Sequence, residues 1–360
     1  MTKKVVAAMS GGVDSSVAAA RLVDQGYDVV GIHLALAKVK GHAGGKGCCT
    51  LDDARDARRV ADRLGIPFYV WDVSEEFQRE VIENFVNEYA QGRTPNPCVR
   101  CNEKIKFAAV LERSLALGFD AVATGHYAQI VETENGPTLY SAIDKNKDQS
   151  YVLSVLTTEQ LRHTILPLGN STKPEIRAEA EKRGLITASK PDSHDICFIP
   201  DGDTAGFLHK KLGQDPGQII DAETNEVLGK HEGVFEFTVG QRRGLNLGKP
   251  RPDRAPRYVV ETDVKNKTVM VGLPTLLKVD LVTATNVIWC GPTPESQFEC
   301  LAQVRAHGER LKAKAFHKDG NLTVEFIDSL QGLAPGQTIA LYENERVIGS
   351  RPSSPPIRAG

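Results

Sequence analysis

The stretch VVAAMSGGVDSSVAAARLV, starting at Val5, restricts the fold of this chain more than any other. Val5 to Met9 is an unbroken run of mostly small and β-branched apolar residues, which suits a strand buried on both faces. From Ser15 to Gln25 the residues Ala18, Ala19, Leu22 and Val23 recur on one helical face, and Gly26 closes the helix. A buried strand that passes into a helix through two glycines begins an α/β domain. The free amides of the first helical turn and the positive end of its dipole then face an anion. Gly11 and Gly12 let the backbone approach a phosphate closely, and Ser10 and Ser15 add hydroxyl donors. Asp14 would repel a bare phosphate, so its carboxylate suits a magnesium ion that bridges to phosphate oxygens. The plainer alternative is a Gly-Gly turn with Ser10 as a helix cap. Neither the Walker signature nor the dinucleotide fingerprint is present.

Strand and helix patterns alternate through the first two hundred residues. Val29 to Leu34 reads as a second strand. Thr50 with Asp53 starts a helix lined by Ala54, Ala57, Ala61 and Leu64, which Gly65 and Pro67 end. FYVWDV reads as a strand, the run through Phe77, Val81, Phe85 and Tyr89 as a long helix, Lys104 to Leu117 as another, and DAVATGH as a strand. This is an α/β fold with a doubly wound parallel sheet, in which ligands sit beyond the carboxyl ends of the strands. From Gly217 the pattern shortens to GVFEFTV, RYVVETD, KTVMVG, AKAFH, LTVEFI and TIALYE, as expected of small antiparallel β modules. GLPTLLKVD interrupts that rhythm near Leu276. The expected division is 1–205 for the α/β domain that carries the phosphate loop, 206–275 for a small β-rich domain and 276–360 for a terminal β-barrel.

With 360 residues, 41% hydrophobic and 25% charged, the chain can build two or three cores and is neither disordered nor fibrous. Its net charge of -2 gives no global footprint for nucleic acid, so an RNA partner must be met by local patches. One such patch carries Arg242, Arg243, Lys249, Arg251, Arg254 and Arg257 against the single acid Asp253. A second carries Arg305, Arg310, Lys312, Lys314 and Lys318. Apolar runs are too short to span a membrane, and Val5 to Met9 is too short for a signal segment, so a soluble cytoplasmic protein is expected.

Seven cysteines is an odd number in a chain too large to need disulfide stapling, which points to reduced and partly chemical thiols. Cys98 and Cys101 stand in the proline-braced loop PNPCVRCN, and Cys197 in SHDICFIPDGD. A helix N-terminus and Arg100 would raise the thiolate fraction of Cys101. Three readings compete: half of a zinc site, for which no matching second pair exists, buried structural thiols, or sulfur chemistry. Cys48, Cys49, Cys290 and Cys300 read as structural.

SGGVDSS resembles the pyrophosphatase loop (PP-loop) of enzymes that split ATP into AMP and pyrophosphate. More widely, AMSGGVDSS, GRTPNPCVRCNEKIKF, ATGHYA, DKNKDQSYVL, DSHDICFI, TVGQRRGL and PGQ stand in the order seen in the bacterial tRNA-specific 2-thiouridylases. This resemblance spans nearly the whole chain. It implies that ATP adenylates the C2 oxygen of a wobble uridine and that sulfur then displaces AMP. It implies nucleotide contact by Ala8, Met9, Ser10, Gly11, Gly12, Val13, Asp14 and Ser15, with Leu34 and Gly125 near the adenine and ribose. Cys197 would carry a persulfide received from a sulfur donor such as a cysteine desulfurase or relay protein. Cys101 would assist release, leaving a transient Cys101–Cys197 disulfide. The best-known family members have an aspartate where this chain has Cys98, so either Cys98 moves a proton or Cys98, Cys101 and Cys197 hold an iron–sulfur cluster. The implied contacts with the tRNA anticodon stem-loop are Asn96, Pro97, Cys98, His126, Lys147, Asp148, Gln149, Arg305, Ala306 and Gln337, with Ala306 replacing a larger residue. The rival readings are an amide-forming enzyme of the same loop class, for which the chain shows no ammonia-supplying module, and a nucleotide sensor, which leaves the thiols without a purpose.

Overall fold

The computed structural model describes residues 2–36, 51–192, 196–248, 253 and 255–354. The expected helix cap at Thr50, the thiols of Cys48 and Cys49, and the basic residues Lys249, Arg251 and Arg254 lie outside the described residues.

The amino-terminal third opens with β1 (Lys4–Ala8), α1 (Val13–Asp24), β2 (Asp28–Ala35), α2 (Leu51–Leu64) and β3 (Phe68–Asp72). Further on come β4 (Ala121–Ala123), a hairpin of β5 (Ala128–Thr133) and β6 (Gly136–Ser141), and β7 (Thr164–Ile165). β3, β2, β1, β4 and β7 form one parallel sheet in that order. Alternation along β1 explains its two-sided burial. Val5 and Ala7 pack with Val17, Leu22, Val60 and Ile176 on one face, and Val6 packs with Ile32, Phe77, Ile105 and Val122 on the other. The crossovers through α1 and α2 cover the first face. The helical stretch Ser74–Phe77, Gln78–Glu83 and Asn84–Ala90, followed by Pro97–Cys101, Asn102–Ala109 and Val110–Ala116, covers the second. The chain therefore changes faces between β1 and β4, and this switch point leaves a crevice beyond their carboxyl ends. Among the described residues no helix is long and apolar enough to cross a membrane.

Two β units follow. The smaller sheet runs Tyr258–Asp263, Thr268–Gly272, Gly217–Asp221, Val227–His231. Its central pair is parallel, where an all-antiparallel module was expected. GVFEFTV is not a strand. Val234–Glu236 is a single 3-10 turn, and the period-2 pattern of Phe235, Phe237 and Val239 reflects burial of a loop. The larger sheet contains Lys278–Thr285, Gln297–Gln303, Leu311–Lys318, Asn321–Gln331, Thr338–Glu343 and Arg346–Pro352. A bridge from Ala284 to Ser353 joins its first strand to the end of its last and closes a barrel around Val282, Ala302, Ala315, Val324, Ile339 and Leu341. The hairpin of β5 and β6 was not foreseen as part of this sheet, which it joins through the pairing of Tyr140 with Arg346.

Arg310 fastens that junction. Its Nη2 donates to Asp148 Oδ2 at 3.0 Å, Nη1 reaches Glu345 Oε2 at 3.2 Å, and the guanidinium lies 3.7 Å from the ring centre of Tyr342. The Arg310 and Asp148 side chains are only 18% and 12% exposed, so removing one partner strands the other charge. Replacing Arg310 with Met should destabilise the protein by about 3 kcal/mol, read as a lower urea midpoint for the transition that includes the barrel. A loss below about 1 kcal/mol would show that the joint holds without it.

Candidate active site

The loop after β1 is built by backbone contact. Gly11 has φ +79°, in the left-handed region, and a side chain there would collide with the Asp53 carbonyl. A Cβ on Gly125, after β4, would lie 2.7 Å from Ser15 N. Both glycines let neighbouring backbone close on the loop, and α1 begins at Val13 with Gly12 as its N-cap. Ser15 Oγ accepts from Ser10 N at 3.1 Å, and Ser16 Oγ donates to Gly12 O at 2.8 Å. Ala8, Met9, Ser10, Gly11, Gly12, Val13, Asp14, Ser15 and Gly125 thus lie together at the carboxyl ends of β1 and β4.

Asp14 sits in the first turn of α1. Its Oδ1 accepts from Tyr127 OH at 2.7 Å, and Lys173 Nζ reaches Oδ1 and Oδ2 at 2.8 and 2.7 Å. Lys173 is buried at the start of helix Lys173–Lys182, and Tyr127 follows His126 in the loop after β4. Burial and the Asp14 charge together push the Tyr127 phenol far up, so it stays a donor to Asp14. Both carboxylate oxygens of Asp14 are thus engaged by protein donors. Behind the loop, His33 is buried and bonded through Nδ1 to Met9 O at 2.9 Å, and burial lowers its pKa.

Cys101 and Cys197 lie with the helices on the other face of the sheet. Asn96 caps the helix Pro97–Cys101, its Oδ1 accepting from Cys98 N at 3.0 Å and Val99 N at 3.2 Å, with Pro97 in the first turn. Cys98 is half-buried. Cys101 belongs to the apolar cluster of Trp71, Phe77, Ile105 and Val122, and Leu34, Cys197 and Phe198 pack against the same cluster. Leu34, Cys101 and Cys197 thus share one apolar cluster. The expected activation of Cys101 by Arg100 does not occur: consecutive helical residues point in different directions, and Arg100 turns to Glu80 at 2.7 Å. Cys101 is buried, and burial pushes its thiol up against a smaller opposing effect of Lys106. Cys290 and Cys300 are buried core thiols, both pushed up to about 12 by burial. Among the described residues no three His, Cys, Asp or Glu side chains are grouped to hold a metal ion. Cys98, Cys101 and Cys197 as placed do not fit a cluster.

Most of the implied RNA contacts also have structural work. His126 is buried, with Nδ1 2.7 Å from Thr124 Oγ1 and Nε2 3.3 Å from Lys106 Nζ, and burial holds its pKa well below the usual value. Asp148 is bonded to Arg310, Lys147 Nζ to Asp192 at 2.7 Å, and Gln149 Oε1 to Tyr127 N at 2.9 Å. Gln337 Nε2 donates to Thr94 O at 2.8 Å, and Thr94 N donates to Pro335 O at 2.7 Å, so the barrel pins the loop that carries Asn96 and Pro97. The Arg305 guanidinium bonds Gly332 O, and Gln303 Nε2 holds Ala306 O at 3.1 Å.

Among the described residues the basic patches are smaller than their composition. Arg257 is drawn inward to Asp221, and Arg310 to Asp148. Lys314 lies opposite Glu299 and Glu325 on its two neighbouring strands. Arg242, Arg243, Arg305, Lys312 and Lys318 remain exposed. Sequence reading missed Tyr127, Lys173, Asp192, Arg177 and Lys190. Tyr127 and Asp192 stood within the quoted motifs ATGHYA and DSHDICFI, but a buried lysine has no signature of its own.

A doubly wound sheet with a glycine-built loop, an acid in the first helical turn and thiols packed on one face of the same sheet defines an α/β enzyme of the PP-loop type. The profile of the tRNA methyl transferase HUP domain matches residues 3–201, that of the tRNA methyl transferase PRC-barrel domain residues 205–273, and that of the aminomethyltransferase beta-barrel domain residues 279–351. The chain is 59% identical to the tRNA-specific 2-thiouridylase MnmA of Acidothermus cellulolyticus, over 96% of each chain. It is 55% identical to that of Streptomyces avermitilis, over 96% of this chain and 93% of the other. A 4-thiouridine synthetase solved with RNA and ATP aligns at TM-score 0.36 and 16% identity, over 58% of this chain and 50% of that one, too remote to carry an argument. The chain belongs to the tRNA-specific 2-thiouridylase family of sulfurtransferases.

The burial of Cys101 makes a direct prediction for the ligand-free protein. Iodoacetamide should label Cys101 at least about tenfold more slowly than a free cysteine at pH 7.5, with a rate that still climbs above about pH 9 because the thiolate forms late. Labelling at the rate of an exposed thiol would contradict that burial.

Proposed function

We propose that this protein thiolates C2 of the wobble uridine in tRNA, using ATP, with release of AMP and pyrophosphate. The reading rests mainly on one observation. The loop that suits a triphosphate follows β1, and Cys101 and Cys197 belong to the apolar cluster on one face of the same sheet, with Leu34 of β2 packed against that cluster.

In this reading Ser10 to Ser15 cradle the phosphates through backbone amides and hydroxyls, while Gly125 and Leu34 lie beside the nucleoside. Asp14 is the carboxylate that would hold magnesium, which when bound neutralises charge on the departing pyrophosphate. The uridine O2 attacks the α-phosphorus, and pyrophosphate leaves with the electron pair of the broken P–O bond. The terminal sulfur of a Cys197 persulfide then attacks C2 and AMP departs. The Cys101 thiolate attacks Cys197 Sγ, breaks the S–S bond and releases 2-thiouridine. The Cys101–Cys197 disulfide left behind needs a two-electron thiol reductant before the next turnover. Cys101 must first leave its apolar site to ionise. Cys98, half-buried one helical turn away, is the proton carrier in place of the aspartate of other members. No step here uses an iron–sulfur cluster. An unpaired anticodon loop lets the base leave its stack cheaply, and Arg242, Arg243, Arg305, Lys312 and Lys318 are the exposed cations for its phosphates.

Cys197→Ser should lower thiolation of a tRNA transcript by at least about a thousandfold while AMP–RNA adduct formation persists, read by mercury-gel retardation and by pyrophosphate release. Asp14→Asn should suppress both. Sulfur transfer retained in Cys197→Ser would overturn the assignment of the carrier, and wild-type pyrophosphate release in Asp14→Asn would overturn that of the metal-holding carboxylate.

A further inference from the structure

Lys106 is partly buried, yet among the described residues its ammonium enters no ion pair. Its side-chain bond is to the His126 ring, with Nζ 3.3 Å from Nε2. An ammonium can only donate, so Nε2 is the bare acceptor, and Nδ1 carries the hydrogen that it gives to Thr124 Oγ1 at 2.7 Å. Burial, together with the Lys106 charge, holds the His126 pKa well below its usual value, so the ring is neutral. A carboxylate in that place would cancel the charge of Lys106. A neutral ring fixes the ammonium and leaves its charge uncancelled. A charge withdrawn from water without a counter-ion is costly, so this one is placed to meet an anion that forms later.

The winding of the helix indicates which anion. Asn102–Ala109 is π-helical, and at its end Val110 N bonds Ile105 O, five positions back. In an α-helix of about 3.6 residues per turn, a residue five positions on lies about 140° round the axis. The wider π turn instead brings positions i and i+5 close to one face, and such turns recur at functional sites. Cys101 immediately precedes this stretch, and Lys106 stands five positions on, so the winding carries the ammonium toward the face of the thiol. The electrostatics agree. Lys106 favours ionisation of Cys101, although burial outweighs it, whereas Arg100 turns away to Glu80. We propose that Lys106 is a positioning residue for Cys101, whose ammonium, held by neutral His126, is the counter-ion of the Cys101 thiolate during sulfur transfer. The thiol proton leaves to water, and the electron pair kept on Sγ is stabilised by the ammonium until it attacks Cys197 Sγ. This rests on the thiolation reading, with Cys101 as the thiol that breaks the S–S bond.

The test is iodoacetamide labelling of Cys101 near pH 9, read by peptide mass spectrometry in the full chain. Beside it, thiolation of a tRNA transcript and pyrophosphate release are followed with a cysteine desulfurase supplying sulfur. Lys106→Gln keeps an N–H donor for His126 but no charge. It should slow both labelling and thiolation about tenfold and leave pyrophosphate release as in the wild type. Lys106→Arg keeps the charge and should restore both rates to within about threefold. A merely structural role has the opposite sign, because a loosened helix would expose Cys101 and speed its labelling. Lys106→Met supplies the same readings if Lys106→Gln does not fold. Labelling as fast as in the wild type or faster, or unchanged thiolation, in the neutral variant overturns the proposal and leaves the functional reading standing. A wild type that does not thiolate overturns that reading as well.

Discussion

Close approach of backbone to backbone around the phosphate loop sets everything near it. Gly125 lets the end of β4 rest on the first amides of α1, and Gly11 lets the start of α2 rest on the loop before them. A methyl group at either point would part these segments, and the amides of Val13 to Ser15 would no longer converge beyond the sheet. The site is thus an outcome of strand order: β1 and β4 are neighbours with crossovers on opposite faces, and the gap between those crossovers is where a phosphate can reach helical amides.

Charge then fills the space that the backbone defines. Asp14, Lys173, Asp192, Lys147 and Arg177 form an alternating series in which each ion has a partner of opposite sign, and Tyr127 caps one end. Such a series is stable without ligand because none of these charges is stranded.

The sequence was most legible where local pattern and tertiary role agree. The run Val5 to Met9, the glycines after it and the amphipathic helix each carry their own signal, and the sheet follows from them. Legibility failed in three physical situations. GVFEFTV alternates because Phe235 and Phe237 bury from a loop, and period 2 alone does not distinguish that from a strand. Arg257 and Arg310 counted as surface charge in composition, but each has an acid that only the fold brings near. Cys101 was judged by its neighbour in sequence, although a helix separates consecutive side chains and the apolar cluster governs the thiol. Lys173 and Asp192 belong to the same class: their partners lie far along the chain or in another element, so their meaning exists only after folding.

The hairpin of β5 and β6 leaves its own half of the molecule and pairs with the start of the strand Arg346–Pro352, with Tyr140 opposite Arg346. The chain must emerge from the ribosome past that strand before the pairing can form. Until then a finished nucleotide fold would display an unsealed strand edge, an invitation to sticking or to mispairing with another nascent copy. The carboxyl-terminal barrel thus acts as a late seal on the catalytic half, and synthesis yields a working unit only when that strand arrives.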